Sequence, residues 1–267
     1  MSIALIGGTG LCRLPGVELT REEVVTRWGS VELRRGAWHG REVLFLPRHG
    51  WSHAVPPHRI NYRANIAALK AAGATVVLAS SAVGTLSPDI EPGTLALLTD
   101  FVDLTSGRAH TFYDEAVAHL DSTVPYCPTL RAMLSAAAED LGIALRGEAV
   151  YACTNGPRFE TPAEIRAYRQ MGAEVVGMTS VPEVTLAREA ELCYASVAIA
   201  TNWAAGIAGQ PLTHGEVGEM MALRLEELQR LLGRVVAGAQ PLDCPCRHAL
   251  DEYSSAPALR RLAAGQA

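Results

Sequence analysis

Residues 3–10 read IALIGGTG, an apolar run that passes directly into a glycine-rich turn. A short run of this kind is typical of a buried strand. Further apolar and β-branched runs predict strands at 43–46, 75–79, 95–99, 174–176 and 196–200. Helical spacing of apolar residues predicts helices at 61–72, 129–141, 184–191 and 216–236. Strands that alternate with helices in this way predict an α/β fold with a largely parallel or mixed sheet.

The composition is that of an ordinary globular protein, with 49% hydrophobic and 19% charged residues among 267. Because no linker rich in Ser, Gly or Pro divides the chain, we predict one domain over residues 1–240 and a tail over 241–267 that packs on it. The net charge of -5 disfavours a nucleic-acid partner. The chain offers no signal-peptide pattern and no stretch near the ~20 apolar residues of a membrane span, so we expect a cytoplasmic protein without a membrane partner.

The six cysteines are spread along the chain, and Cys12, Cys127, Cys153 and Cys193 stand singly. Scattered thiols are typical of a reduced, cytosolic protein. Residues 244–246 read Cys-Pro-Cys, which favours two surface thiols over a strained or redox-sensitive disulfide. A Cys-x-Cys pair without a second pair is weak evidence for zinc, so no metal site is predicted.

Polar residues follow several of the predicted strands: Thr9, Arg48 with His49, Ser81, and Thr179. In open α/β sheets the carboxyl ends of the strands form the edge at which ligands bind. Hydroxyls, free backbone N–H groups and a guanidinium with two parallel donors suit an oxyanion. The alternative for each motif is a plain turn or a surface side chain. The glycines do not form Gly-x-Gly-x-x-Gly and no Walker A lysine follows, which disfavours a dinucleotide or a nucleoside triphosphate.

Two later segments carry groups that suit a heterocyclic ring. In the stretch GPRFET, Phe159 can stack on a ring while Glu160 accepts hydrogen bonds from its edge. The alternative is a helix start, in which Thr161 is the N-cap and Glu164 completes a capping box, and both can hold. Asn202 ends a predicted strand, where an Asn is often only a turn former. Its amide can also donate and accept at once, which suits the edge of a purine.

Five motifs occur in order: GGTG at 7–10, PRHG at 47–50, NYRAN at 61–65, GPRFET at 156–161 and GMTSVPE at 177–183. Over roughly residues 3–235 the chain resembles the methylthioadenosine phosphorylase branch of the trimeric purine nucleoside phosphorylase family. The resemblance implies a single-domain, three-layer α/β fold whose mixed, partly barrel-like sheet is flanked by helices. It also implies a homotrimer or a dimer of trimers that acts as a pentosyltransferase in purine salvage. Its partners would be a purine nucleoside and inorganic phosphate as co-substrate, with no cofactor and no metal.

The resemblance also implies roles for individual residues. Phosphate would be held by groups from four segments: Thr9, Arg48, His49, Ser81, the Ala82 amide and Thr179. Met178 would donate its backbone N–H to the ribose, Phe159 would flank the base, and Asn202 would meet the purine near N7 and O6. His119 would reach into the site of the neighbouring subunit. His49 and Asn202 would be the catalytic residues, since phosphate is itself the nucleophile and the remaining work is electrostatic.

Departures from the adenine-using members of that family predict the base. Where those members carry Asp-x-Asp, this chain has Asn202, Trp203 and Ala204, and an amide can donate to O6 whereas an ionised Asp only accepts. Glu160 would accept the N1 hydrogen that hypoxanthine and guanine carry and adenine lacks. Buried polar pairing of this kind discriminates strongly between substrates. We therefore predict phosphorolysis of inosine, guanosine and their 2′-deoxy forms, with Glu160, Trp203 and Ala204 among the substrate contacts.

The 5′ end of the substrate depends on His214. It matches the position at which inosine- and guanosine-using members carry a His that hydrogen-bonds the 5′-hydroxyl, and the alternative is that it only lies in a first helical turn. The nearest rival substrates are S-methyl-5′-thioinosine and S-methyl-5′-thioadenosine. A nucleoside- or phosphate-binding regulator without turnover is the alternative from another class, and a sensor of nucleosides would need no anion site. A dinucleotide-dependent oxidoreductase is a more distant alternative.

Overall fold

The computed structural model describes residues 2–207 and 214–266. Their strands are β1 Ser2–Gly7, β2 Leu19–Thr26, β3 Gly29–Trp38, β4 Arg41–Pro47, β5 Ala74–Thr85, β6 Leu95–Asp103, β7 Leu145–Cys153, β8 Val175–Gly177 and β9 Cys193–Trp203. Their helices are α1 Tyr62–Ala71, α2 Pro128–Leu141, α3 Pro162–Gln170, α4 Ser180–Glu189, α5 His214–Gly238 and α6 Ala256–Ala263. Short 3-10 turns lie at Pro57–Arg59 and Pro245–His248. Within these described ranges, no helix has both the length and the apolar character to cross a bilayer.

The strands form one sheet in the order β2-β3-β4-β1-β5-β8-β7-β6-β9, and β9 pairs again with β5. The strands β5, β8, β7, β6 and β9 therefore close on themselves, while β2, β3, β4 and β1 extend from β5 as an open sheet. The pairs β1–β4, β1–β5, β5–β9, β6–β7 and β7–β8 are parallel. The other pairs are antiparallel. The mixed, partly barrel-like sheet implied by the sequence is confirmed.

Helices cover both faces of the sheet because its central strands are apolar on both sides. Successive residues of β1 alternate between two cores, with Ala4 and Ile6 in the first and Ile3 and Leu5 in the second. The first core is covered by α1, α4 and α6, and the second by α2 and α5. The three-layer arrangement expected from the sequence is therefore present. It leaves the ends of the strands open to ligands.

Local hydrogen bonds account for several helix ends. The Asn61 side chain accepts from the backbone N–H of Ala64 at the start of α1. Thr161 and Glu164 form the predicted capping box at the start of α3. Helix α2 ends at Gly142, whose φ of 64° lies in the left-handed region that favours glycine. The capping box fixes the end of the loop that precedes α3, and this loop belongs to the site described below.

Strands β5 and β9 extend further than the sequence predicts. Strand β5 continues to Thr85, so Ser81 lies within the strand instead of following it. Strand β9 continues past Asn202, and the two strands run parallel with a register shift that brings Gly84 opposite Asn202. Ladder hydrogen bonds to β9 hold the segment SSAVG extended, although small polar residues of this kind are typical of a turn.

Residues 241–266 lie against the rest of the chain. Leu250 and Leu259 belong to the first core, and Cys244 and Cys246 to the second. The expectation that these two cysteines are surface thiols is wrong, since they are 1% and 3% exposed. The physical reason is that the 3-10 turn Pro245–His248 carries them back onto the apolar face covered by α2 and α5.

Candidate active site

A cavity of about 350 Å³ opens where β1, β4 and β8 end, next to the C-terminal parts of β5 and β9. Its volume is in the range of small-ligand sites. Most of the side chains predicted for the site line this cavity: Thr9, Arg48, His49, Ser81, Ala82, Phe159, Glu160, Met178, Thr179, Asn202 and Ala204. The fold therefore brings together residues that lie far apart in the sequence.

Two predicted site residues, Trp203 and His119, are not among the described residues that line the cavity. Trp203 is half-buried at the end of β9, where successive side chains point to opposite sides, so it faces away from the side that Asn202 takes. His119 is exposed and lies outside the cavity of its own chain. His214 is the first residue of α5, and its side chain lies outside the described residues.

Arg48 lies fully buried at the cavity and is held by a buried carboxylate. Its Nε and Nη2 donate to the two oxygens of Glu183, both at 2.7 Å, and its Nη1 donates to the Ser80 carbonyl at 2.8 Å. The Tyr194 hydroxyl also donates to Glu183 at 2.7 Å. Burial alone lowers the pKa of Arg48, but the Glu183 carboxylate outweighs it and raises that pKa above its ordinary value. The guanidinium is a fixed cation with N–H donors to spare.

His49 lies beside Arg48 with a ring that is neutral at pH 7. Burial, together with the charge of Arg48, lowers the pKa of His49 to about 4, although its hydrogen bond to Val55 acts in the opposite direction. Its Nδ1 lies 2.9 Å from the Val55 carbonyl oxygen, so the ring proton resides on Nδ1. The His53 ring packs against it with the centroids 4.8 Å apart. His49 therefore offers Nε2 as an acceptor to a ligand.

Hydroxyls and a close backbone turn complete this part of the cavity. The Ser81 Oγ atom is buried and has no hydrogen-bond partner among the described residues, a cost that a ligand can relieve. Thr179 precedes α4, and its hydroxyl makes no capping hydrogen bond. A Cβ on Gly8 would lie 2.6 Å from the Ser80 carbonyl oxygen and 2.8 Å from Arg48 Nη1, so only glycine lets the turn approach the guanidinium. We call Thr9, Arg48, His49, Ser81 and Thr179 the anion group, since a cation with unpaired hydroxyls suits an oxyanion.

A second set of polar groups in the cavity contains a carboxylate. Glu160 is 9% exposed, and its Oε1 accepts from the Thr154 hydroxyl at 2.8 Å. Burial raises the pKa of Glu160 above its ordinary value, against the lowering effect of the Thr154 hydrogen bond. One carboxylate oxygen remains to accept a hydrogen bond from a ligand. Phe159, next in the chain, is 39% exposed and offers its ring at the same cavity.

Asn202 supplies the amide of this second set. Its Oδ1 accepts from the Thr201 hydroxyl at 2.8 Å, and its Nδ2 donates to the Trp203 carbonyl at 3.0 Å. These bonds fix the amide orientation and leave one donor and one acceptor position for a ligand. A Cβ on Gly84 would lie 3.2 Å from Asn202 Nδ2, so the glycine opposite provides room for the amide. We call Glu160 and Asn202 the purine group, after the ring that the sequence analysis predicts for them.

Arg108 connects the loops that carry the site, and it belongs to none of the motifs that the sequence predicts to be functional. Its Nη2 donates to the carbonyls of Thr154, Asn155 and Met178 at 3.2, 3.1 and 2.9 Å, and its Nη1 donates to the Val181 carbonyl at 2.6 Å. Arg108 thereby ties the segment before Glu160 to the segment around Met178.

Glu183 is the other functional residue that sequence reasoning missed. It stands inside the motif GMTSVPE, but without a predicted role. The signal that could have found it is a carboxylate in an apolar helix, where the residues on both sides, Val181 and Val184 to Leu186, give no reason for a charge. A buried Glu needs a cationic partner, and Arg48, which the sequence already places at the ligand edge of the sheet, is a candidate for that partner.

One cavity contains the Arg48 cation, which has open donors, and also the Asn202 amide and the Glu160 carboxylate. Such a cavity suits an oxyanion and a polar ring bound together. Residues 2–237 match the family model described as the phosphorylase superfamily. The chain belongs to the phosphorylase superfamily, which confirms the family predicted from the ordered motifs.

Two relatives and one solved structure are similar to this chain over nearly its whole length. A protein of Dictyoglomus turgidum named "Probable 6-oxopurine nucleoside phosphorylase" is 49% identical over 258 residues, covering 95% of this chain and 98% of the relative. A "Probable S-methyl-5′-thioinosine phosphorylase" of Methanopyrus kandleri is 47% identical over 251 residues, covering 93% and 97%. Methylthioadenosine phosphorylase from Schistosoma mansoni, solved with adenine, superposes with a TM-score of 0.87 at 31% identity and covers 98% and 97%.

Proposed function

We propose that this protein is a 6-oxopurine nucleoside phosphorylase, which cleaves inosine, guanosine and their 2′-deoxy forms with inorganic phosphate. The observation that carries the proposal is the presence, in one cavity, of an anion group around Arg48 and a purine group made of Glu160 and Asn202. Relatives named for this activity at high identity support it. A phosphate oxygen attacks C1′ of the sugar while the N-glycosidic bond breaks and its electron pair leaves with the purine. The products are the free base and (deoxy)ribose 1-phosphate.

The anion group holds and orients the phosphate dianion. Arg48 supplies a fixed charge, and Ser81 supplies a buried hydroxyl that has no other partner among the described residues. His49, neutral and with Nδ1–H donated to Val55, accepts at Nε2 the one hydrogen that hydrogen phosphate carries. The dianion stabilises the positive charge that develops on the sugar. Because these groups are in place before the substrate arrives, they contribute preorganised electrostatic stabilisation.

The purine group stabilises the leaving base. As the bond breaks, negative charge spreads onto the purine, and its N7 becomes protonated or hydrogen-bonded. The Asn202 amide can accept from N7–H and donate to O6 with the two positions that Thr201 and Trp203 leave open. Asn202 therefore acts on the leaving group and His49 on the nucleophile, and no side chain forms a covalent bond.

Glu160 selects the base. An ionised carboxylate accepts the N1 hydrogen of hypoxanthine or guanine, whereas it meets an unshared electron pair at N1 of adenine. The free oxygen of Glu160, beside the one that Thr154 occupies, is the acceptor. Phe159 covers the ring of the base, and Met178 donates its backbone N–H to the ribose.

The assembly and the 5′ end of the substrate belong to the same proposal. We propose a homotrimer or a dimer of trimers in which the exposed His119 enters the neighbouring subunit's site. His214 would hydrogen-bond the 5′-hydroxyl. The enzyme would act in purine salvage in the cytoplasm, with phosphate as its co-substrate and no cofactor.

The deciding experiment measures hypoxanthine release from inosine by the purified protein, with and without inorganic phosphate. We expect release only with phosphate, together with one ribose 1-phosphate for each hypoxanthine. Equal release without phosphate would make the protein a hydrolase. Binding of inosine without release under either condition would make it a regulator.

A second candidate substrate is S-methyl-5′-thioinosine, because a relative named for it is 47% identical to this chain. The discriminating measurement is kcat/KM for inosine, S-methyl-5′-thioinosine and S-methyl-5′-thioadenosine. The purine group leads us to expect little turnover of the adenine nucleoside. His214→Val should reduce kcat/KM for inosine more than for S-methyl-5′-thioinosine, and equal losses would contradict the 5′-hydroxyl contact.

A further inference from the structure

Four cysteines converge away from the cavity, although three segments of the chain supply them. The Sγ atoms of Cys127, Cys193, Cys244 and Cys246 all lie within 4.8 Å of one another. The Cys127 and Cys244 sulfurs are 3.5 Å apart. All four are free thiols, and each is at most 3% exposed. Cys127 and Cys193, two of the four cysteines that stand singly in the sequence, thus supply the second pair that the Cys-Pro-Cys segment lacked.

Packing explains why these thiols meet. Cys127 immediately precedes α2, and its backbone N–H donates to the Tyr194 carbonyl at 2.8 Å, which places it beside Cys193 at the start of β9. The 3-10 turn Pro245–His248 brings Cys244 and Cys246 onto the same spot. The Thr129 hydroxyl, in the first turn of α2, lies 3.6 Å from the Cys244 sulfur.

From this cluster we infer a zinc site in which Cys127, Cys193, Cys244 and Cys246 bind one Zn²⁺ as thiolates. Tetrahedral zinc with Zn–S bonds of about 2.3 Å separates neighbouring sulfurs by about 3.8 Å. The four sulfurs lie within 4.8 Å of one another. Shifts of about 1 Å or less in the sulfur–sulfur distances would therefore give the tetrahedral arrangement. Four sulfur ligands leave no open position, and the site is closed by the second apolar core, so the zinc is structural and takes no part in phosphorolysis.

One feature beside the cluster suits a negatively charged metal centre. A tetrathiolate zinc centre carries two net negative charges, which need nearby positive potential. Cys127 is the N-cap of α2, so the positive end of that helix dipole faces its sulfur.

The zinc would join the C-terminal segment to the body of the protein. Two ligands come from residues 244–246, and two come from elements that flank or form the central sheet. Binding free energy of such a site adds directly to folding free energy, since the ligands are not assembled in the unfolded chain. Removal of the metal should therefore loosen residues 241–266 first.

The test measures zinc by mass spectrometry in the full-length protein, expressed with added Zn²⁺ and purified under reducing conditions without chelator. We expect about one zinc per chain. Replacement by Co²⁺ should give the absorption of tetrahedral cobalt–thiolate, and zinc removal should lower Tm until Zn²⁺ is restored. Cys127→Ser and Cys246→Ser should each lose the zinc, whereas Cys12→Ser, at an exposed thiol, and Cys153→Ser, at a buried thiol outside the cluster, should keep it.

The wild-type protein alone can overturn the inference, whatever the variants do. Reduced, folded protein that contains no zinc and takes up neither Zn²⁺ nor Co²⁺ would show that the cluster is four neutral thiols. An intact mass that has lost the hydrogens of two or four thiols, together with absent metal, would show disulfides instead. Equal zinc loss in Cys12→Ser would mean that the metal is bound elsewhere.

Discussion

Two carboxylates are buried close to the same cavity, and the protein treats them differently. Glu183 receives two hydrogen bonds from Arg48 and one from Tyr194, so its charge is matched inside the protein. Glu160 receives one hydrogen bond from the neutral Thr154 hydroxyl, and burial raises its pKa. In the proposed mechanism, Glu183 holds the cation that binds phosphate, whereas the unmatched oxygen of Glu160 is the acceptor for the base. We therefore expect the buried acid with a complete set of partners to be structural, and the one with an incomplete set to contact the ligand.

The largest expected effect follows from the matched carboxylate. Arg48→Met removes the cation and leaves Glu183 buried without its partner. We expect kcat/KM for phosphate to fall by about 10³-fold, as when a preorganised donor is lost, and the free energy of unfolding to fall by about 3–5 kcal/mol. Steady-state kinetics and denaturant unfolding measure the two losses.

A double variant separates the two roles of Arg48. In Arg48→Met with Glu183→Gln, the buried charge is gone and the amide can still accept from Tyr194, so most of the stability should return. Phosphate use should not return. Recovery of activity in the double variant would show that Arg48 serves only to neutralise Glu183. That result would contradict the view that Glu183 holds a phosphate-binding cation.

The next effect follows from the unmatched carboxylate. In Glu160→Gln the side chain can present an N–H to N1 of adenine. The ratio of kcat/KM for inosine to that for adenosine should fall by roughly 10–10²-fold, the worth of a hydrogen bond to a charged group. The control is Glu164→Gln, in the same segment, whose carboxylate caps α3 and is bound by Arg158. A similar change in the inosine-to-adenosine ratio of kcat/KM in the control would show that Glu160 does not select the base.

A smaller effect is expected at a hydroxyl of the anion group. Ser81→Ala should raise KM for phosphate about tenfold, the lower end of the range for losing one hydrogen bond to a charged group. Stability should stay the same or rise slightly, because the Ser81 hydroxyl is buried without a partner among the described residues. Ser196→Ala is the matched control, as its buried hydroxyl also lacks a described partner but does not line the cavity. Equal kinetic changes in both variants would argue against a phosphate contact at Ser81.

The smallest effect is a shift in pH dependence. Glu160 accepts the N1 hydrogen only when ionised, so kcat/KM for inosine should decline as the pH falls through its raised pKa. Thr154→Val removes a hydrogen bond that lowers this pKa, so the acidic limb of the profile should move to higher pH. The Glu160→Gln variant should have no such limb. A limb that stays in place in both variants belongs to another group.

The sequence predicts those strands that are buried on both faces. The runs at 3–6, 43–46 and 75–79 form β1, β4 and β5 because a continuous apolar run has few alternatives to a buried strand. Strand β2, with the sequence LTREEVVT, escapes prediction because its charged residues interrupt the apolar pattern, and pairing with β3 holds it extended. Strand β7 begins with LRGE and has the same difficulty.

The same limit applies to the site. Arg48, His49 and Thr179 can be found from the sequence because they follow apolar runs that predict strands, and the end of such a strand marks a ligand edge. Glu183 is signalled only indirectly, by a carboxylate between apolar residues, and the fold alone shows that its partner is Arg48. The role of Thr154 cannot be found, because it acts through Glu160, which only the fold brings near. The four converging cysteines are an extreme case, since their spacing along the chain carries no sign of their proximity.

Arg108 has a consequence for how tightly a substrate can bind. One guanidinium is chelated by carbonyls from two loops, the one that leads to Glu160 and the one that contains Met178. These loops are therefore ordered as one unit by the protein itself. Ordering a flexible loop costs about 1–2 kcal/mol for each residue. A ligand that binds to loops already held in place does not bear this cost, so it binds more tightly. Arg108 therefore holds the two loops in place whether or not a substrate is bound.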